Sequence, residues 1–180
     1  MSQTNNEIKI FLASSKELEF ERVHVGDLFN DINSILADTD NNVRVRLLKW
    51  ETFNPSFTGE RKQSEYDEQV KNSDIFVVLF RSTAGKFTME EAETAVMSHS
   101  HNKKPEELYC FIQDCEKRDF DVKEIKEKLG AICLMDSFSD INNLKLKLIK
   151  ILTPHFNTLG VSVSETDKFL QISSVNILRK

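Results

Sequence analysis

Ile75-Phe76-Val77-Val78-Leu79-Phe80 is apolar throughout, with no polar residue breaking the run. A strand exposed on one side alternates apolar and polar side chains, whereas a strand covered on both sides is apolar at every position. Valine, isoleucine and phenylalanine favour a strand over a short buried helix, and Ser73-Asp74 punctuates its start. The run therefore predicts a central strand with a layer of structure on each face.

Working outward toward the N-terminus, Ile8 to Leu12 reads as another short strand, stopping at Ala13-Ser14-Ser15. Leu18, Val25, Phe29, Ile32 and Leu36 then recur at helical spacing, with Arg22 on the intermediate step and Ser14 or Ser15 as N-cap. Asp38 to Asn42 breaks that helix, and Val43 to Trp50 predicts a second strand. Glu51 to Gln63 holds Pro55 and Gly59 with no clear period, so it reads as a long loop before a short helix from Ser64 to Asn72. Downstream, a loop with Gly85 leads to a helix from about Met89 to Ser100. Leu108 to Ile112 predicts the fourth strand, Asp121 to Leu129 an amphipathic helix stopped by Gly130, and Ala131 to Met135 the fifth strand. Ile141, Leu144, Leu148, Ile151 and Leu152 stripe a last helix, interrupted at Pro154. Asn157 to Lys180 is Ser/Thr-rich, with weak strand patches at Val161 to Val163 and Phe169 to Ile172.

Strands alternating with amphipathic helices specify a parallel sheet covered on both faces. The expected class is α/β, a flavodoxin-like three-layer sandwich on a five-stranded parallel sheet. Ligands in such sheets bind beyond the carboxyl ends of the strands. Those ends are Ala13-Ser14-Ser15, Trp50 with its following loop, and Arg81 to Phe87.

With 180 residues the chain suits one domain with an extension, and its formal charge of -5 argues against a dedicated nucleic-acid surface. No apolar run approaches the ~20 residues that cross a bilayer, and Met1 to Glu7 has no signal-peptide pattern, so a cytoplasmic protein is expected. Cys110, Cys115 and Cys133 form no CxxC and share no ligand spacing with His24, His99, His101 or His155. Cys110 and Cys133 sit in apolar runs and read as structural, so no metal is expected. The first strand runs into Ala-Ser-Ser-Lys rather than a glycine-rich phosphate loop, and Gly85-Lys86 is followed by Phe87 where a Walker loop needs Ser or Thr.

What remains at the strand ends is Ser14, Ser15, Trp50, Glu51, Arg61, Arg81, Phe87 and Glu91. Glu90 and Glu91 both open the predicted third helix, where acids commonly answer the helix dipole. Phe87 and Glu91, four apart, also share one helical face. An aromatic and a carboxylate so placed can flank a flat ring and face a sugar carbon that develops oxocarbenium character.

The order Ile10 to Ser15, Leu47 to Glu51, Gly59 to Tyr66 leading into Ser73 to Phe80, and Phe87-x-x-x-Glu91-x-x-x-Ala95 resembles a TIR (Toll/interleukin-1 receptor) domain. It is most similar to the bacterial type fused to anti-phage defence sensors, over residues 7–156, with 157–180 as a linker or extension. The resemblance implies an NAD+ glycohydrolase, with NAD+ as substrate and no separate cofactor, yielding nicotinamide and ADP-ribose or a cyclic isomer. It implies Glu91 as the catalytic glutamate, with Phe87 in place of the family's usual Trp. Ser14, Ser15 and Trp50 would flank the nucleotide, Arg61 or Arg81 would meet the pyrophosphate, and Phe87 would stack on the leaving ring. Self-association through the loop Glu51 to Gln63 would switch the activity on, under a fused downstream sensor domain.

Two other functions fit the same pattern. One is a TIR–TIR interaction module without catalysis, since Glu90 and Glu93 make this helix acidic in any case. The other is a nucleoside deoxyribosyltransferase, which also sets a glutamate against an anomeric carbon.

Overall fold

The computed structural model describes residues 6–39, 41–49, 66–165 and 170–174. Five strands, β1 (Asn6–Ser14), β2 (Val43–Leu48), β3 (Ile75–Phe80), β4 (Glu107–Gln113) and β5 (Cys133–Phe138), form one sheet in the order β2-β1-β3-β4-β5. Every neighbouring pair in it is parallel. That order is the flavodoxin-like one, with its switch point between β1 and β3.

The apolar run of β3 is explained by the two cores it feeds. Ile75, Val77 and Leu79 pack with α1 (Glu19–Ala37) and α5 (Ile141–Thr158) on one face. Phe76, Val78 and Phe80 pack on the other with α2 (residues 66–71), α3 (Lys86–Asn102) and α4 (Val122–Leu129). β1 divides the same way, Ile10 and Leu12 against Phe11 and Ala13.

Polar clasps set the frame around these cores. Asp74, just before β3, accepts from the Lys9 backbone N–H at 2.8 Å and from Lys104 Nζ at 2.6 Å. Asn33 on α1 pairs with the edge strand as another strand would. Its Nδ2 donates to the Val45 carbonyl and its Oδ1 accepts from the Val45 N–H, both at 2.8 Å. Replacing it leaves two half-buried backbone groups to water alone, so Asn33→Ala is expected to cost about 1–2 kcal/mol in urea unfolding with the slope unchanged.

Several boundaries differ from the sequence expectation. α3 begins at Lys86, three residues before Met89, because Gly85 takes the N-cap place and its carbonyl accepts the first helical bond from Met89 N–H at 3.0 Å. β5 starts at Cys133 and runs to Phe138, because a turn from Gly130 (φ +69°) occupies the expected first residues. As an edge strand it tolerates the exposed Asp136 and Ser137 that made it read shorter. α5 passes through Pro154 to Thr158, since the missing N–H would have met the carbonyl of the exposed Lys150, which water can serve. Ser15 does not cap a helix with its side chain; a 3₁₀ turn, Lys16–Leu18, precedes α1.

After α5, β6 (Val161–Glu165) and β7 (Leu170–Ser174) form an antiparallel pair apart from the main sheet. Val161 is buried in the α1–α5 core, and Asn41 Nδ2 donates to the Gly160 carbonyl at 2.6 Å. Among the described residues no helix is long and apolar enough to cross a membrane.

Candidate functional site

The carboxyl ends of β1 and β3 are adjacent because the two strands pair in register up to Ser14 and Leu79. Beyond them the chain must turn, and two loops meet. A side chain supplied by the first loop holds the second. Glu17 accepts from the backbone N–H of Ser82 at 3.1 Å and of Thr83 at 2.9 Å, and from both of their hydroxyls. Ser15 Oγ donates to the same carboxylate at 3.2 Å. Burial raises the Glu17 pKa, but the Ser82 and Thr83 bonds outweigh it and hold the group below the usual carboxylate range. The stability it supplies is therefore present above about pH 4.5 and is lost as pH falls through its lowered pKa. Glu17 is mostly exposed, so Glu17→Ala is expected to cost under about 1 kcal/mol globally. The same change should speed amide exchange at Ser82 and Thr83 by about tenfold or more.

The β3–α3 loop also lies over β1: a methyl group at Gly85 would come within 3.9 Å of Ser15 Cβ. The next loop closes the far side, where Asp119 N–H donates to the Ser82 carbonyl at 2.9 Å and Cys115 Sγ to the Arg81 carbonyl at 3.4 Å.

Glu91 lies on α3, just past this junction. With Gly85 as N-cap, the first turn of α3 carries no acidic residue, so Glu91 is interior rather than at a helix start. The three neighbouring glutamates are set apart by their surroundings. Glu90 faces Lys86 one turn earlier at 3.7 Å, Glu93 is exposed, and Glu91 is half-buried. Burial raises the Glu91 pKa to about 7, Asp67 of α2 adds to the rise, Arg22 of α1 opposes it, and Glu90 adds again. A carboxyl poised near neutrality is a pattern shared by acid–base and electrostatic catalysts.

Among the expected site residues, Ser14 ends β1 and Ser15 follows it, and both are tied to Arg22: Nη1 donates to Ser14 Oγ at 2.8 Å and to the Ser15 carbonyl at 2.7 Å. Arg22 is also the charge that opposes the rise in the Glu91 pKa. Phe87 lies in the first turn of α3 and is 70% exposed, free to meet a flat ring. Arg81 is exposed immediately after β3. Trp50, Arg61 and the loop Glu51 to Gln63 lie outside the described residues. Glu17, Arg22, Asp67, Ser82 and Thr83 went unassigned in the sequence reading. The one signal for any of them was Arg22, a cation on the apolar stripe of α1.

Cys110 and Cys133 are free thiols buried in the α3–α4 core, where burial pushes Cys133 up to about 12 and Cys110 higher still. They are inert packing groups. Among the described residues no three His, Cys, Asp or Glu side chains gather as a metal site would require.

No family model matches the chain, and no curated protein matches it in sequence. Among solved structures it is similar to a metal-soaked Flv1 flavodiiron core from Synechocystis sp. PCC6803 at 12% identity and a TM-score of 0.47, over 87% of this chain and 36% of that one. It is also similar to an azoreductase from Bacillus anthracis str. Sterne at 12% identity and a TM-score of 0.39, over 86% of this chain and 96% of that one. Likenesses this remote transfer no function; the fold rests on the strand order and the sheet's all-parallel pairing.

Proposed function

We propose that the chain is a TIR-type NAD+ glycohydrolase, with Glu91 as its catalytic residue. The observation that carries this reading is the half-buried Glu91 at the carboxyl end of the sheet, with its pKa raised to about 7 and the exposed Phe87 one turn before it.

The chemistry needs little more. In NAD+ the nicotinamide nitrogen already carries positive charge, so the C1′–N bond breaks with its electron pair returning to the ring and no acid is required. C1′ gains oxocarbenium character, and a carboxylate alongside stabilises it before water adds and a proton is lost. A cationic ring seated against Phe87 draws the Glu91 pKa down, so substrate favours the ionised form that the reaction uses. In this reading Ser14 and Ser15 flank the nucleotide and Arg81 answers the pyrophosphate; Trp50 and Arg61 keep the roles the resemblance gives them. A single carboxylate, rather than the pair of most glycosidases, is enough for a leaving group of this kind.

Self-association through the loop Glu51 to Gln63 completes the proposal, together with a cytoplasmic setting and a sensor domain fused downstream in anti-phage defence. The test is nicotinamide release from NAD+ by the purified chain, dilute and then clustered on an oligomerising tag. Release that rises on clustering supports it. Silence in both states favours a TIR–TIR interaction module, and turnover of free deoxynucleosides instead of NAD+ favours the deoxyribosyltransferase.

A further inference from the structure

We propose that the groove between β5 and α5 is a second binding site, which takes a flat aromatic anion on the sheet face opposite α3. The site goes beyond the NAD+ reading and does not depend on it.

It arises where α5 stops covering the sheet. The inward stripe of α5, Leu144, Leu148, Leu152 and Phe156, is buried in the core it shares with α1, β1 and β3. β5 is the edge strand, and its Leu134 is 63% exposed. Parallel pairing sets Tyr109 of β4 beside Leu134, and Phe111 beside Asp136. Alternate residues of a strand share a face, so these four side chains make two adjacent rungs of one floor. Lys147, Lys150 and Ile151 of α5 wall that floor, and the space between holds about 320 Å³. That volume suits a small molecule of one or two rings.

The lining decides which kind. The Tyr109 and Phe111 rings lie with centroids 6.2 Å apart and planes within 6° of parallel. Tyr109 is held by its hydroxyl, which donates to Glu107 Oε2 at 2.6 Å, and Phe111 is held by burial. Rings fixed in advance offer an aromatic guest a packing surface at little ordering cost. Charge completes the argument. α5 carries Lys145, Lys147 and Lys150 and no acidic residue, in a chain of formal charge -5. Lys147 donates to Asp136 within the groove. Lys150 is exposed and meets no carboxylate among the described residues, so its ammonium is left to answer an anion. Two lysines against Asp136 also leave the lining net positive. The groove is separate from the Glu91 site: Phe111 belongs to the α1–α5 core, whereas Ala92 and Ala95 of α3 belong to the other.

The probe is 2-naphthoate, followed by methyl carbon-13 and amide nitrogen-15 NMR of the whole chain. Ring-current shifts should saturate at Leu134, Met135 and Ile151 with a Kd of about 1 mM, ordinary for a ligand of about 13 non-hydrogen atoms. Lys150→Gln should weaken binding about three- to fivefold. Leu134→Glu, at an exposed position and checked for fold by circular dichroism, should weaken it by about tenfold or more. The equally flat cation 2-naphthylmethylamine should bind at least about tenfold more weakly than the acid. Shifts absent at about 10 mM, spread evenly over the surface, or equal for the amine would overturn the proposal. Shifts at the same methyls on concentrating the chain alone, lost in Leu134→Glu, would assign the groove to a second copy and overturn it too. None of these measurements uses nicotinamide release, so failure here leaves Glu91 untouched, and a chain inert toward NAD+ would still bind the probe.

Discussion

Glu91→Gln is expected to lower nicotinamide release by about a hundred- to a thousandfold while making the chain more stable at pH 8. The two effects share one cause. Glu91 holds its proton up to about 7 in the folded chain, against an ordinary value of 4.5. Between those values the native state binds more protons than the unfolded chain, so stability falls as pH rises from about 4.5 to 7. Above pH 7 the whole cost of a shielded, repelled carboxylate is present. A neutral amide removes it. The shift corresponds to about 3 kcal/mol at most, and partial exposure of the group reduces that to about 1–2 kcal/mol. The gain should fade toward pH 5, where wild-type Glu91 is already protonated when folded. Urea unfolding of both proteins at pH 8 and pH 5 measures it. A carboxylate with only a surface role would give the opposite pattern: no stability gain and unchanged activity.

Phe76→Ala should be the most damaging single change to stability, at about 3–5 kcal/mol, lowering Tm by roughly 6–20 °C. Phe76 is 1% exposed, the second residue of β3, and stacks on Phe11, its register partner on β1, with ring centroids 5.7 Å apart and planes at 14°. Removing the ring opens a cavity between two central strands that cannot collapse, because Val78 and Ala95 of the same core are held by the sheet and by α3. Phe76→Leu should recover most of the loss. At temperatures where both variants stay folded, nicotinamide release should be close to wild type, since the lesion lies away from the strand ends. Differential scanning calorimetry with a parallel release assay separates the two effects.

The β3 run was legible because burial on both faces leaves no room for a polar residue, and from it the alternating order of elements followed. Boundaries were harder where solvent, not the core, decides them. β5 is an edge strand whose outer residues need not be apolar, and Pro154 costs α5 only one bond to an exposed carbonyl. Gly85 hid the true start of α3, because a loop glycine and an N-cap glycine look alike in sequence.

At the site, Phe87 and Glu91 could be picked out from their spacing, but the groups that tune Glu91 could not. Asp67 and Arg22 reach it from α2 and α1, elements far apart in the chain that only the packed fold brings to α3. Glu17 likewise acts across 65 residues, bonding to Ser82 as a tertiary contact with no local pattern. Arg22 left a trace, a cation at an apolar step, whose meaning depends on the strand end beneath it.

Nicotinamide release from NAD+ should be measured first, with the wild-type chain and Glu91→Gln clustered on the same oligomerising tag and both checked for fold by circular dichroism. Catalysis by Glu91 predicts steady release from the wild-type protein and almost none from the variant. Equal release from the two folded proteins, or none from either, would contradict it.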